Sequence, residues 1–108
     1  MDKNIIRCRH MLEAIAKIEL YTAGLTYEAF INDSKTFDAT IRALEIIGEA
    51  ARNVDEDFRS RYTSILWREI ADFRNVLIHQ YFGVDERVVW GIVHKELPQL
   101  KADLQGLV

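Results

Sequence analysis

The sequence predicts an all-α protein, an up-and-down four-helix bundle with an additional short helix. Apolar residues recur at the three- and four-residue spacing of amphipathic helices along four long segments, and no segment keeps the strict alternation of a half-buried strand. The chain has one proline and five glycines, and 49% of its residues are hydrophobic, which favours a compact, ordered fold over disorder. Short connections between the four segments favour antiparallel neighbours.

Start and stop signals set the expected boundaries of these helices. Gly24 and Gly83 follow two of the apolar patterns as terminators, Asp85 offers an N-cap for the last helix, and Pro98 predicts a bend in it. The charged stretch 55–60 is expected to be a linker or a frayed turn. The predicted helices span residues 4–21, 27–31, 35–53, 65–79 and 86–105.

Length and cysteine content bound the class of protein. Residues 1–108 are expected to form a single helical domain, because the length is near the commonest domain size. The single cysteine, Cys8, excludes an internal disulfide, favours a cytoplasmic location, and is expected to be buried on the first helix. The longest apolar run, 88–93, is far shorter than the roughly 20 residues of a membrane span, so no membrane association is expected.

The candidates for chemistry lie in Arg74-Asn75-Val76-Leu77-Ile78-His79-Gln80-Tyr81, called the motif below. Arginine is charged at every physiological pH and its planar fork suits phosphate. Histidine gives or takes a proton near neutrality. Tyr81 adds a phenol that can be chemically modified.

The geometry of one helix limits what a single motif can do. Arg74 and His79 lie about 140° apart on an ideal helix, so one helix does not aim both at one point. A two-fold dimer would bring two motifs to one cleft and supply two histidines, one to remove a proton and one to supply it. The predicted helix has three faces. An apolar face suited to the bundle core consists of Leu66, Ile70, Phe73 and Leu77, and a smaller apolar face suited to a partner subunit consists of Trp67, Ala71 and Ile78. The polar stripe consists of Arg68, Asp72, Asn75 and His79.

Charge alone does not predict nucleic acid as a ligand. The net charge is −3, whereas nucleic-acid binders usually have a basic surplus. Five arginines between positions 52 and 74 are balanced in sequence by Asp55, Glu56, Asp57, Glu69 and Asp72. No DNA partner is therefore expected. No metal or other cofactor is expected either, because no helix carries a Glu-x-x-His pair and two residues, Cys8 and His10, are too few for zinc.

The motif resembles the Arg-x4-His-x-Tyr signature of the HepT-like toxins, a branch of the HEPN superfamily. Segments 44–51, 67–70 and 78–85 and the bend at Leu97-Pro98 resemble family stretches in the same order, so the resemblance covers nearly the whole chain. It implies an HEPN-like bundle that forms a homodimer and cleaves RNA, without metal, in a cleft between protomers. It also implies a toxin of a HepT/MntA-type toxin–antitoxin system.

The resemblance further implies a role for each motif residue. Arg74 would stabilise phosphate charge, His79 would transfer protons, and Asn75 would position the substrate or the imidazole. A minimal nucleotidyltransferase antitoxin would silence the toxin by transferring AMP onto Tyr81, which adds negative charge and bulk near Arg74. Glu49, on the second long helix, is the candidate for lining the cleft.

Two other functions remain open from the sequence. The chain could be a non-catalytic helical module that binds a minimal nucleotidyltransferase or nucleotides through the same cleft; such a module needs Arg74 but not His79 as a proton carrier. A bundle with structural duties only would use the same pair as a salt-bridge arginine and a histidine near a helix C-terminus, where cations are favoured.

Overall fold

The computed structural model describes residues 2–73, 75 and 85–108, and within them every regular element is helical, which confirms the predicted all-α class. A π-helical turn, Ile92–Glu96, joins the last two helices. The α-helices are α1 (Lys3–Thr22), α2 (Tyr27–Asn32), α3 (Ser34–Arg52), α4 (Glu56–Arg61), α5 (Trp67–Ala71), α6 (Glu86–Gly91) and α7 (Leu97–Gln105).

The core lies between α1 and α3, which pack along each other. α5 packs against α3, and α7 packs against α1. Each fully buried Leu, Ile or Met side chain contributes about 1.5–3 kcal/mol to folding, so this layer supplies most of the stability. None of the helices among the described residues is long and apolar enough to cross a membrane. The central buried side chains include Cys8, Met11, Ile15, Ile18, Leu44, Ile47, Ala51, Leu97, Leu100 and Leu104.

Helix ends carry the expected caps. The Asp33 carboxylate accepts from the Thr36 hydroxyl at 2.8 Å and from the Thr36 amide at 3.2 Å, which starts α3. These hydrogen bonds, led by the one from the hydroxyl, hold the pKa of Asp33 below its usual value. Asp85 accepts from the Arg87 amide at 3.0 Å, so the predicted N-cap of the last helical segment is confirmed. Gly24, with φ of 72°, follows α1 in the left-handed region where glycine is favoured.

The prediction of a linker over residues 55–60 is wrong, because Glu56–Arg61 forms α4. Acidic residues occupy the first turn of this helix and basic residues its last turn, the order that complements the helix dipole. Phe58 is buried beneath it, with its ring centroid 4.7 Å from that of Tyr62 and 6.0 Å from that of Trp67. A charged segment with one aromatic anchor is therefore a helix rather than a linker.

Two further predictions for the motif helix are wrong: the residue at which it begins, and the placement of Leu66 and Trp67 on its apolar faces. The helix begins at Trp67 rather than at residue 65, and Leu66, which precedes it, is 62% exposed. Trp67, assigned to a partner-facing strip, is instead buried, and its indole N–H donates to the Tyr62 carbonyl at 3.0 Å. Ile70 and Phe73 are buried in the core as predicted. Leu77 and Ile78 lie outside the described residues.

The bend predicted at Pro98 takes the form of the π-helical turn. Proline has no amide hydrogen and its ring crowds the carbonyl four residues earlier. The chain widens just before it, and the Leu97 amide bonds to the carbonyl of Ile92, five residues back. On this segment Trp90 packs between Phe30 and the exposed His94, whose Nδ1 lies 3.0 Å from the Trp90 carbonyl oxygen.

Cys8 is buried, as predicted for a small apolar side chain on the first helix. Burial, reinforced by the nearby charge of Asp2, raises the pKa of its thiol to about 11. The thiolate is the reactive form, so this cysteine is a packing residue at neutral pH.

Gly48 is the point of closest approach between α3 and α5. A Cβ built there would lie 3.2 Å from the Ile70 carbonyl oxygen and 3.4 Å from that of Ala71, both backbone atoms that cannot rotate away. Absence of a side chain at this position lets α5 lie directly on α3.

We expect Gly48→Val to displace α5 and to lower the free energy of unfolding by about 1–3 kcal/mol, the usual cost of overpacking. Gly91→Ala is the matched control: a Cβ there meets nothing within 4 Å, so the better helix propensity of alanine should stabilise the protein by up to about 1 kcal/mol. Urea unfolding of the two variants measures both effects. Equal stability of the Gly48→Val and wild-type proteins would contradict the close approach.

Candidate functional site

Arg74, His79 and Tyr81, the predicted phosphate-binding, proton-transfer and modification residues, lie outside the described residues. Asn75 and Glu49 are described, and both are exposed. These two residues are 26 positions apart in sequence, and they border the same surface concavity.

This concavity, called the arginine cleft below, lies between α3, α4 and α5 and has a volume of about 480 Å³. It is formed by the C-terminal end of α3, one face of α4, and the polar face of α5 with the residues that follow it. Its walls consist of Glu49, Arg52, Arg59, Arg68, Ala71, Asp72 and Asn75.

The described members of the polar stripe predicted for the motif helix form one wall of the cleft. Arg68, Asp72 and Asn75 follow one another at spacings of four and three residues, which places them on one helical face. The Asn75 amide donates to Asp72 Oδ1 at 2.9 Å. That hydrogen bond fixes the side chain of the residue next to Arg74 and engages one carboxylate of the cleft.

The opposite wall contains the other carboxylate. The Asn53 side-chain amide donates to the Glu49 carbonyl oxygen at 2.9 Å and to Glu49 Oε1 at 3.3 Å, at the C-terminal end of α3. Both acidic residues of the cleft are therefore bonded to neutral amides rather than to arginine.

The three arginines of the cleft have no side-chain partner among the described residues. Neither a salt bridge nor a side-chain hydrogen bond joins Arg52, Arg59 or Arg68 to any described group. The Nε atom of Arg59 is also buried, although the residue as a whole is half-exposed. A buried polar atom without a partner costs about 1–3 kcal/mol, so intramolecular bonding does not explain the position of this guanidinium.

A pair of hydrogen bonds from the other end of the chain holds α4, and with it Arg59, in place. The Asn4 side-chain oxygen accepts from the Asp55 amide at 3.0 Å, and the Asn4 amide donates to Asp55 Oδ2 at 3.3 Å. Asn4 is buried at the start of α1, and Asp55 immediately precedes α4. The first turn of the chain therefore fixes one wall of the cleft.

Sequence reasoning did not identify the three cleft arginines as site residues. The sequence places them among nearby acids as a balanced set, whereas within the described part of the chain they form no ion pair. One signal was present in the sequence: Arg68 shares a helical face with Asn75. The convergence of Arg52 and Arg59 on that face depends on how three helices pack, which periodicity does not contain.

Among the described residues, no group of three or more His, Cys, Asp or Glu side chains is arranged to hold a metal ion.

Comparison with known proteins identifies the family. The family model described as "Ribonuclease HepT-like" matches residues 11–107. The chain belongs to this family. The helical bundle described above agrees with the HEPN-like fold that the motif led us to expect.

Several curated proteins are similar to this member of the family. "Probable ribonuclease HepT" of Thermococcus cleftensis is 50% identical over 95 residues, covering 88% of this chain and 86% of that protein. "Putative RNase MJ1380" of Methanocaldococcus jannaschii is 40% identical over 95 residues, covering 88% and 87%. "Gamma-glutamylcyclotransferase and putative RNase MJ0434" of the same organism is 43% identical over 105 residues, which are 96% of this chain but 47% of that protein.

No solved structure matches the chain. The family and these relatives together support a ribonuclease function in general terms.

The scaffold of the cleft is tested by Asn4→Ala. The substitution leaves the Asp55 amide without its acceptor at a half-buried position, so we expect the free energy of unfolding to fall by about 1–3 kcal/mol. Asn53→Ala removes an exposed asparagine bonded within its own helix, and we expect a change within about 0.5 kcal/mol. Chemical denaturation compares the two. An equal loss in both variants would mean that Asn4 does not anchor α4.

Proposed function

We propose that this protein is a metal-independent endoribonuclease that cleaves RNA in a cleft shared by two copies of the chain. One observation carries the proposal: the Arg-x4-His-x-Tyr motif lies intact within the region matched by the ribonuclease HepT-like family. The surroundings support it, because Asn75, which follows Arg74 in the chain, borders a cleft in which three guanidinium groups have no side-chain partner among the described residues.

The proposed chemistry uses a proton acceptor and a proton donor. His79 of one protomer removes the proton from a ribose 2′-hydroxyl, and the resulting oxygen attacks the adjacent phosphorus. The partner subunit's His79 protonates the 5′-oxygen as its bond to phosphorus breaks. Arg74 stabilises the negative charge that builds on the phosphoryl oxygens. The products are a 2′,3′-cyclic phosphate and a 5′-hydroxyl end.

Asn75 and Glu49 have supporting roles in this proposal. The Asn75 amide is held by Asp72, which leaves its carbonyl oxygen to position a ribose hydroxyl or the imidazole of His79. Glu49 borders the cleft from α3 and repels phosphate, so it limits how far the strand reaches across that wall.

A two-fold dimer would overcome the angular separation of Arg74 and His79, which one helix does not aim at a single point. A second copy supplies the missing group from the opposite side. Leu66, 62% exposed beside Arg68 in a neighbouring concavity, offers an apolar contact for that copy.

The decisive test is RNA cleavage in the presence of a chelator. Wild-type protein should cleave, with a bell-shaped pH profile, because one imidazole must be neutral and the other charged. His79→Ala should lower the rate by about 100-fold or more, the usual contribution of general acid–base catalysis. His94→Ala, which removes an exposed histidine of the π-helical turn, is the control and should cleave like wild type.

Three outcomes would contradict parts of this proposal. Cleavage that is equal in wild-type and His79→Ala proteins would remove the imidazole from the mechanism. RNA or nucleotide binding without cleavage would favour the non-catalytic module. A monomeric sedimentation profile at micromolar concentration would contradict the shared cleft.

We further propose that the protein acts in the cytoplasm as the toxin of a toxin–antitoxin pair, with a minimal nucleotidyltransferase as antitoxin. That enzyme would transfer an adenylyl group from ATP to the Tyr81 hydroxyl and release pyrophosphate. The added phosphate places negative charge two residues from His79 in sequence, where it would compete with an RNA phosphate for Arg74.

Mass spectrometry of protein co-expressed with a cognate minimal nucleotidyltransferase tests this regulation. We expect the mass of one adenylyl group on the peptide that contains Tyr81, and loss of RNA cleavage by the modified protein. Tyr81→Phe should remain unmodified, whereas Tyr62→Phe, which keeps its ring packed on Phe58, should be modified normally. Inhibition of cleavage without modification would show that the partner acts by binding alone.

A further inference from the structure

We infer that the arginine cleft binds the phosphates of single-stranded RNA beside the scissile bond, with Arg52, Arg59 and Arg68 as the binding residues. The inference deepens the nuclease proposal and rests on it. It assigns a function to groups outside the motif, on three helices that sequence separation alone would not bring together.

The first argument is the lack of intramolecular partners. Guanidinium groups usually pair with carboxylates, and this chain has 17 acidic residues to 14 basic ones. Even so, none of the three has a side-chain partner among the described residues. The most enclosed of them, Arg59, has its Nε buried and unbonded. The cleft holds three guanidinium charges against two carboxylates, Glu49 and Asp72, so its walls have an excess of positive charge that an anionic ligand would balance.

The second argument is that the nearby carboxylates are engaged elsewhere. Asp72 accepts from the Asn75 amide and Glu49 from the Asn53 amide. The guanidinium N–H groups therefore remain available to donate to an external anion. A phosphate diester can accept two hydrogen bonds from one guanidinium group.

The third argument concerns the path of the strand. Arg59 and Arg68 also border a second concavity, whose wall includes Glu56 and Glu69 and which lacks Arg52 and Asn75. The side chains of that second concavity carry two positive and two negative charges, whereas those of the arginine cleft carry three positive and two negative charges, so the arginine cleft attracts phosphate more strongly. The strand should therefore follow the wall that leads from Arg52 to Asn75, and hence toward Arg74.

The test measures RNA binding apart from cleavage. Full-length protein carrying His79→Ala keeps the RNA intact, and fluorescence anisotropy with a labelled single-stranded RNA of about 12 nucleotides reports affinity as a function of salt. The cleft variant adds Arg52→Gln and Arg68→Gln, both at exposed positions. The matched control adds Arg42→Gln and Arg61→Gln, which remove the same charge from exposed positions of α3 and α4 outside the cleft.

Loss of two phosphate contacts should weaken binding about 20-fold near 0.1 M salt and reduce the slope of log K against log salt by about 1.4, since each single-strand contact contributes about 0.7. The control should change affinity less than about threefold, because neither Arg42 nor Arg61 borders the cleft and so neither substitution removes a phosphate contact there. Should the double cleft variant fail to fold, each single substitution should reduce the slope by about 0.7. Equal losses in the cleft and control variants, or no RNA binding by the His79→Ala parent at low salt, would overturn the inference.

Parallel cleavage assays separate this inference from the nuclease proposal. If proteins with His79 intact do not cleave RNA but the cleft variant alone loses affinity, the nuclease proposal fails and the cleft remains an RNA site. If wild-type protein cleaves and the cleft variant cleaves with unchanged KM, the cleft inference fails and the nuclease proposal remains.

Discussion

The direct contact of α5 with the α3 backbone at Gly48 is the constraint on which the rest of the site depends. With a Cβ position 3.2 Å from the Ile70 carbonyl oxygen, α5 lies closer to α3 than a residue with a side chain would ordinarily allow at that point. Arg52 is one helical turn beyond Gly48, and the polar face of α5 therefore comes to lie beside it. A larger side chain at position 48 would separate the two walls of the cleft before it altered any polar group.

A second constraint is electrostatic. The protein places three guanidinium groups together and bonds the two adjacent carboxylates to asparagine amides. Pairing Arg52 with Glu49 or Arg68 with Asp72 would reduce the repulsion among the cations, at little cost in geometry. Functional sites commonly lack such stabilising ion pairs, because their unpaired charges bind a ligand. The lack of ion pairs among the described residues of the cleft therefore supports the proposed ligand more strongly than the number of arginines does.

The sequence predicted the parts of the fold that depend on local periodicity and capping. The long helices α1 and α3, the Asp85 cap and the shared face of Arg68, Asp72 and Asn75 were all accessible, because each follows from spacing along one helix. The errors have tertiary causes. Phe58 turns a charged segment into a helix by packing on Trp67, and the same contact buries Trp67 while Leu66 remains exposed.

The charge balance failed as a guide for a related reason. Acids and arginines that are close in sequence here form no ion pairs among the described residues: Asp55 bonds to Asn4, and Asp72 bonds to Asn75. Counting acids against bases over residues 52–74 therefore cancelled charges that are not paired in the fold. The motif carried the functional prediction because its chemistry depends on residue identity at fixed spacing, which the sequence states directly.

The proposed dimer and the arginine cleft together constrain how RNA would lie. A two-fold axis relates the motifs, and it also relates the two clefts, one on each protomer. An RNA strand has direction and lacks that symmetry, so the two clefts would meet it on opposite sides of the scissile bond, one toward the 5′ end and one toward the 3′ end. The two copies of His79 would then be equivalent in the free dimer and would have different surroundings once RNA is bound. The strand itself would decide which imidazole removes the proton and which supplies it, so a symmetric protein could perform an asymmetric reaction.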